Sequence, residues 1–257
     1  MIVVFVALLS LLASAVATIS GFGLATIMVP SLLFFMPFAQ TMMLVGIIHL
    51  VNNTWRVGLF YTHINLTLFF YFGIPSIVAA MVGALVIPSN GSAYLFPLLG
   101  LFLISYVIFL FYVPNFQIKP TLHSALLGGG ISGFTAGLFG IKGPIKGAFL
   151  LAYHLPKKQY IATISVIGLI TDAVRVAIYM VRGFELSSAM RMGLFIFIPA
   201  TIAGVYSARY IIRCIPQEYF RYVVSLFLLV VGIKFVVVDG IWKHGLAARK
   251  TFISASQ

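Results

Sequence analysis

Apolar residues run through this chain in long blocks, and a few polar or helix-breaking residues divide them. A helix needs about 20 apolar residues to cross a bilayer. The first tract, Ile2 to Phe38, is too long for one span; it is interrupted at Ser20-Gly21-Phe22-Gly23 and at Pro30, and Pro37 ends it. The pattern leaves open two short spans, a re-entrant hairpin or one broken helix. A span from Thr41 to about Tyr61 follows, then the turn Thr62-His63-Ile64-Asn65, then a span from Leu66 to Ile87 loosened by Gly73, Pro75 and Gly83. Pro88-Ser89-Asn90-Gly91 reads as a turn. Ala93 to Val113 is a further span, closed by Pro114-Asn115 and Lys119-Pro120.

The pattern then starts again. Thr121 to His154 is a second long, glycine-broken tract, closed by Pro156-Lys157-Lys158. Gln159 to Val181 predicts a span, Arg182 to Met192 a polar connection, Gly193 to Ile212 a span carrying Pro199, and Arg213 to Gln217 a turn. Tyr219 to Asp239 is the last span, before a basic tail from Lys243. The two halves superpose with a shift of 119 residues, the distance from Arg56 to Arg175. That shift also pairs Ala17 with Ala136, Gly21 with Gly140, Leu32 with Leu151, Pro37 with Pro156, Gln40 with Gln159 and Val57 with Val176. A five-residue insertion then pairs Ile74-Pro75 with Ile198-Pro199. The paired Pro, Gln and Arg carry this argument, because such residues are rare inside membranes.

The fold expected is an all-α polytopic membrane protein in one integral membrane domain. It has two weakly similar repeats, 1–113 and 121–239, each a Gly/Pro-broken first segment followed by three transmembrane helices, and a tail over 240–257. If each first tract is a hairpin, each repeat crosses an odd number of times and the repeats are inverted, which is the arrangement we expect; one broken span would make them parallel. Loop charges do not decide between these. Either way both termini share one side, and Lys243, Arg249 and Lys250 place it in the cytoplasm of a cell (inner) membrane.

Composition agrees. The chain is 62% hydrophobic and 8% charged, which leaves no room for a sizeable soluble domain. Its net charge of +12, from 16 Lys+Arg against 4 Asp+Glu, would suggest nucleic acid in a soluble protein. Here the basic residues sit mostly in short loops and the tail, and no contiguous basic patch is visible, so no nucleic-acid partner is expected. Cys214 is the single cysteine, which excludes an intrachain disulfide and a cysteine metal cluster. The N-terminal MIVVFVALLSLLASAVATIS lacks a charged n-region, and apolar sequence continues far beyond it, so it reads as a membrane segment and not a signal peptide.

The second break, Gly128 to Gly147, holds eight glycines, Pro144, Lys142 and Lys146. Glycine loosens a helix and proline interrupts it. Broken backbone at membrane depth is tolerated where protein covers it or it lines a watery cavity. Lysine facing lipid is costly, so Lys142 and Lys146 are expected at such a cavity, where free N–H groups at a half-helix start attract anions. The first break carries no charge and offers Ser20, Gly21, Gly23 and Thr26. Matched interruptions in two halves point to a transporter binding site.

Arg56 and Arg175 stand at equivalent positions, with Asn52 and Thr171 four residues before them on the same helix face. Two symmetry-related guanidinium groups could clamp an oxyanion. The competing readings are snorkelling to the interface and, for Arg175, pairing with Asp172. Asp172, in mid-span, is a candidate for proton coupling or charge balance, and His49 for proton shuttling or a buried hydrogen bond. Glu185, Glu218 and Asp239 fall at loops or span ends and are expected to be solvated. His63, His123, His154 and His244 lie at turns or ends. No cofactor box and no metal site are visible.

SGFGLATIMVPSLLFF at Ser20–Phe35, GLFGIKGPIKGAFLLAYH at Gly137–His154, and the stretches NNTWR and TDAVR resemble the sulfite exporter TauE/SafE family of membrane permeases. The plan of two similar halves fits too, though Lys142 and Pro144 replace small residues usual in that family's second break. The resemblance implies transport of a sulfur-containing anion (sulfite, thiosulfate or an organosulfonate), with proton-coupled export by alternating access. It implies an anion site near the bilayer centre, with Gly21, Gly23, Gly140 and Gly143 as the break motif and Asn52, Asn53, Arg56, Asp172 and Arg175 as the polar clusters. An uncoupled anion channel is the alternative. A membrane-embedded enzyme fits less well, since no HExxH, paired carboxylates or cysteine cluster appears. A homo-oligomer is compatible with the sequence.

Overall fold

A computed structural model describes residues 1–20, 23–88, 94–112, 118–211 and 217–242. Among them are ten helices and no strand. In chain order these are α1 (Ile2–Ser20), α2 (Leu24–Leu32), α3 (Phe38–Phe60), α4 (Leu66–Val86), α5 (Leu95–Tyr112), α6 (Leu122–Phe139), α7 (Gly143–Leu151), α8 (Lys157–Val181), α9 (Ser188–Ile211) and α10 (Gln217–Lys234, continued as wider turns over Phe235–Trp242). Five are long and apolar enough to cross a membrane: α4, α5, α8, α9 over Ser188–Ser207 and α10 over Tyr222–Gly240. On α4, Phe70, Ile74, Val78, Val82 and Leu85 are exposed while Ser76, Ala80 and Ala84 on the opposite side are buried. An apolar outer stripe of this kind suits lipid, not water.

The chain packs as two compact units, Met1–Ser89 with Gln117–Gln217, and Asn90–Phe116 with Glu218–Gln257. In the first unit both long apolar tracts are hairpins. Phe5, near the start of α1, meets Phe35, just past the end of α2, with ring centroids 4.8 Å apart. The Phe149 ring of α7 lies where a side chain at Gly128 of α6 would be. Each nine-residue helix therefore turns back along the helix before it. The reversals follow from local chemistry. Gly140 ends α6 at φ 72° and Gly23 precedes α2 at φ 84°, conformations that side chains other than glycine rarely adopt. Pro144 falls in the first turn of α7, where a missing N–H costs no helical hydrogen bond, so it starts a helix where an interruption was expected.

The hairpins are interleaved with the other half of the sequence. The long arm α6 packs on α4, with Gly129, Gly133 and Gly137 set against the backbone of Phe72, Ser76 and Ala80. Both rows advance by four residues, so one helix face of small residues meets another and the backbones touch. The long arm α1 packs on α9, where Gly204 sits against the Leu11 carbonyl and the Ser14 hydroxyl donates to the Thr201 carbonyl at 2.7 Å. Asn65 caps α4 by accepting from the Leu68 amide at 3.0 Å. Pro75 would press on the carbonyl four residues earlier, and a wider turn over Phe69–Gly73 takes up the strain.

Helix α9 begins at Ser188, inside the stretch expected to be a polar connection. Polar residues mark where a helix leaves the apolar layer, not where it ends. Pro37 and Pro156 precede α3 and α8 in extended conformation and start both helices cleanly. In the second unit, Gly100 of α5 lies against the Gly232 carbonyl of α10, and the Phe96 and Phe235 rings meet at 5.5 Å.

Candidate anion site

Helices α3 and α8 cross antiparallel. Gly46 of α3 faces Val176 and Arg175 of α8, and seven residues on, Asn53 rests against Gly168. Small residues at Gly46 and Gly168 let the larger polar side chains of the partner lie in the seam. Against this pair comes α7. Lys142 and Lys146, one helical turn apart, donate to the Gly168 carbonyl at 3.3 Å and the Ile164 carbonyl at 2.8 Å, themselves one turn apart on α8. The starts of the two half-helices also meet: a Cβ at Gly23 would stand 3.1 Å from the Gly143 Cα. The positive ends of α2 and α7 therefore converge on one place.

Asp172 is the centre of the polar contacts. One carboxylate oxygen takes Lys142 Nζ at 2.5 Å and the Asn53 amide at 2.8 Å; the other accepts from Arg175 Nε at 2.8 Å. These groups are buried, with relative exposures of 0% for Asp172 and Arg175, 4% for Lys142 and 8% for Lys146. Arg175 Nη1 lies beside Gly140, Nη2 beside Gly46, and the guanidinium carbon 6.0 Å from the Tyr179 ring centroid. The Tyr179 hydroxyl donates to the Gly137 carbonyl. Nη1 and Nη2 are both buried and make no hydrogen bond of good geometry to a protein acceptor; the Tyr179 hydroxyl is the nearest polar side-chain group in reach besides Asp172. Unpaired buried donors are costly, and donors on a cation more so. The cluster thus holds a buried guanidinium fork beside Gly140, three residues before the start of α7. This is the chemistry that receives an oxyanion.

The sulfite exporter TauE/SafE family model matches residues 6–235. The chain belongs to this family. TauE/SafE proteins are membrane transporters and not enzymes, and the family implies an anionic substrate such as sulfite. No curated protein and no solved structure showed a match. As a TauE/SafE protein with several apolar helices, the chain is an integral membrane protein.

The structure gathers Asn53, Gly140, Lys142, Gly143, Asp172 and Arg175 at this place, with Gly23 against Gly143. His49 lies within electrostatic reach of Asp172, Lys142 and Arg175, and its Nε2 is buried without a partner. Thr171 is buried, but its hydroxyl donates to the Ile167 carbonyl at 2.6 Å on its own helix. Asn52 is half-buried and points about 100° around the helix from Asn53. Arg56 is half-buried and lies within reach of Lys146, not of Arg175. The Arg175 guanidinium sits at the level of Gly46, and Arg56 stands ten residues further along the same helix. At the helical rise this is about 15 Å, too far for two guanidinium groups to share one small anion. The expected arginine pair is therefore split: Arg175 is at the cluster and Arg56 is beyond it.

Gly21 and the tail residues Lys243, Arg249 and Lys250 lie outside the described residues, as do Cys214, His244 and the Glu218 side chain. Glu185 is exposed. Asp239, expected to be solvated, is buried and pairs with Lys234 at 2.5 Å in the second unit. Sequence reasoning passed over Gly46, Gly168 and Tyr179. The last stands one turn after Arg175, the only signal the sequence offered for it.

Proposed function

We propose that this protein is a secondary transporter that carries a small sulfur oxyanion (sulfite, thiosulfate or an organosulfonate) across the cell (inner) membrane by alternating access. The observation that carries the reading is the buried Arg175 fork, whose Nη1 and Nη2 lie beside Gly140 and Gly46 without a protein acceptor of good geometry. Lys142 and the amides at the start of α7 complete the anion's surroundings, and Gly23 and Gly140 allow the backbone to come close. Asp172 balances charge when the anion is away, because it holds the donors that the anion would otherwise share. His49, with its free Nε2, is the group we assign to proton coupling.

The reading extends to the plan of the chain. Helices α2 and α7 are both nine residues long and start 119 residues apart, and α3 and α8 also start 119 residues apart. We take these as two repeats descended from a duplication. A hairpin returns the chain to the side it entered from, so a hairpin followed by three spans gives an odd number of crossings and inverted repeats. Inverted repeats with broken segments at their interface are a recurring way to build alternating access. The termini then share one side, which the basic tail assigns to the cytoplasm.

The test is transport in proteoliposomes holding the purified protein. Labelled sulfite or thiosulfate should move saturably with wild type, and Arg175→Ala should abolish the flux while the variant still elutes as folded protein. Equal flux in the two would sink the assignment of the site. Ohmic anion current without saturation would instead favour a channel.

A further inference from the structure

A second group of cations lies along the same seam, away from Arg175. Asn53 rests against Gly168, and in an antiparallel pair that register continues: Arg56, three residues further along α3, falls level with Ser165, three residues back along α8. Ser165 shares a face of α8 with Gly168, Asp172 and Arg175, by their spacing of three, four and three residues. Its hydroxyl is fully buried and has no hydrogen-bond partner. Beside it on α8, the Ile164 carbonyl accepts from the buried Lys146 at 2.8 Å. Arg56 lies within electrostatic reach of Lys146. Among the described residues no carboxylate pairs with either cation, and the oxygens of Asp172 are held by Lys142, Asn53 and Arg175. Two cations and an unmet hydroxyl therefore share one level of the seam. Ser165 stands ten residues from Arg175, or about 15 Å along α8, so a small anion there is out of reach of the Arg175 fork.

This end of the seam is also where three helix termini gather. Helix α3 ends at Phe60, α7 ends at Leu151 and α8 begins at Lys157. Leu151, His154, Leu155, Lys157 and Tyr160 line a cavity of about 420 Å³ there, and His154 and Lys157 are exposed at it. Tyr160 is one turn before Ile164 on α8, and Lys142 is one turn before Lys146 on α7. From the cavity inward the basic groups thus follow in order: Lys157, then Lys146 with Arg56, then Lys142 and Arg175. Buried cations of like sign repel, and an anion between them relieves the cost. We propose that Lys146, Arg56 and Ser165 form a second, outer site for the same small oxyanion, occupied on its way between the cavity at the α7–α8 end and the Arg175 fork. This rests on the anion reading given above, and adds a station to the route. The Arg56 guanidinium and the Ser165 hydroxyl donate to the anion, and Lys146 adds charge without leaving its carbonyl. A site of this kind acts on capture, so it sets KM and leaves the maximal rate to the inner site.

Labelled thiosulfate is the probe. Its binding to the purified full-length protein, in detergent free of anionic lipid, is measured by equilibrium dialysis, and its transport is measured in proteoliposomes. The wild type should bind two ions per chain. Arg56→Gln should bind one, with the affinity of the remaining site within about threefold of the wild-type inner site. In transport, Arg56→Gln should raise KM about fivefold or more and change the maximal rate by less than about twofold. Arg56→Lys, which keeps the charge, should retain both ions. Two ions in Arg56→Gln would place the second one elsewhere and overturn the proposal. One ion in the wild type, lost in Arg175→Ala, would also overturn it and leave the anion reading standing. Binding of no ion would overturn the anion reading itself, a distinct result. One thiosulfate in the wild type, together with phosphatidylglycerol that Arg56→Gln releases, would assign the locus to a lipid headgroup and contradict the proposal. If Arg56→Gln does not fold, Ser165→Ala supplies the second measurement: it should weaken the outer ion by about threefold or more, and an unchanged affinity would contradict the site.

Discussion

Asn53 donates to Asp172 across 2.8 Å, and the two residues stand 119 positions apart in the chain. The same offset relates Arg56 to Arg175 and the start of α2 to the start of α7. Two residues related by this offset thus face one another within the first unit. They differ in kind, an amide on one side and a carboxylate on the other. The site is therefore asymmetric in charge: both lysines come from α7, and the matching positions of α2 carry none.

Replacing Asp172 by Asn tests the charge balance. The substitution leaves Lys142 and Arg175 buried beside an uncharged partner, a change that costs on the order of 3–5 kcal/mol in comparable buried pairs. The apparent Tm of the variant should fall well below that of the wild type, and added thiosulfate should raise it by more than it raises the wild type. An unchanged Tm would show that Asp172 does not hold the cluster together.

Arg175→Lys retains the charge and removes the two open nitrogens. A hydrogen bond to a charged group is worth about 1.5–3 kcal/mol. Anion affinity should drop by roughly tenfold to a hundredfold, by calorimetry, with the folded yield preserved. Wild-type affinity in Arg175→Lys would mean that the fork geometry is not what the ligand reads.

The contact between α4 and α6 depends on the absence of side chains. Gly133→Ala would drive a methyl group into the Ser76 carbonyl. Overpacking of this kind typically costs about 1–3 kcal/mol. Gly130 on the same helix has open space around it, so Gly130→Ala should be neutral or slightly stabilising. Thermal unfolding of the two variants in parallel separates crowding from helix propensity, and equal Tm values would contradict the close approach.

At the junction of the half-helices, Gly23→Ala faces both a φ of 84° and the Gly143 backbone. Transport should fall steeply, while Gly58→Ala, which has nothing near it, should leave transport unchanged. Full activity in Gly23→Ala would argue against a tight junction.

Much of this was legible in the sequence because rare residue types stand out in an apolar background. Lys142, Asp172 and Arg175 are conspicuous for that reason, as are the glycines at both breaks and the prolines that precede α3 and α8. What the sequence did not show depends on tertiary register. Whether Lys142 meets Asp172 is decided by how α7 lies along α8, and no spacing within either helix encodes that. The separation of Arg56 from Arg175 has the same origin. The offset aligned the two residues, but in an antiparallel crossing pairs beyond the crossing point, such as Arg56 and Arg175, lie toward opposite ends of the seam, while Asn53 and Asp172 near it meet. Asp239 was misjudged for a local cause. It stands five residues after Lys234, off the face of an ordinary α-helix, and the wider turns over Phe235–Trp242 bring that spacing into register. The hairpins were one of several readings of the long tracts, and the contacts of Phe5 with Phe35 and of Phe149 with Gly128 select among them.

The central claim is that a sulfur oxyanion is bound and carried at Arg175. Its most direct test is counterflow: proteoliposomes loaded with unlabelled thiosulfate are diluted into a trace of labelled thiosulfate, and the label inside is followed over time. Wild type should accumulate label transiently above equilibrium, and Arg175→Ala, reconstituted to the same density, should not. Accumulation of equal height in the two proteins would contradict the account.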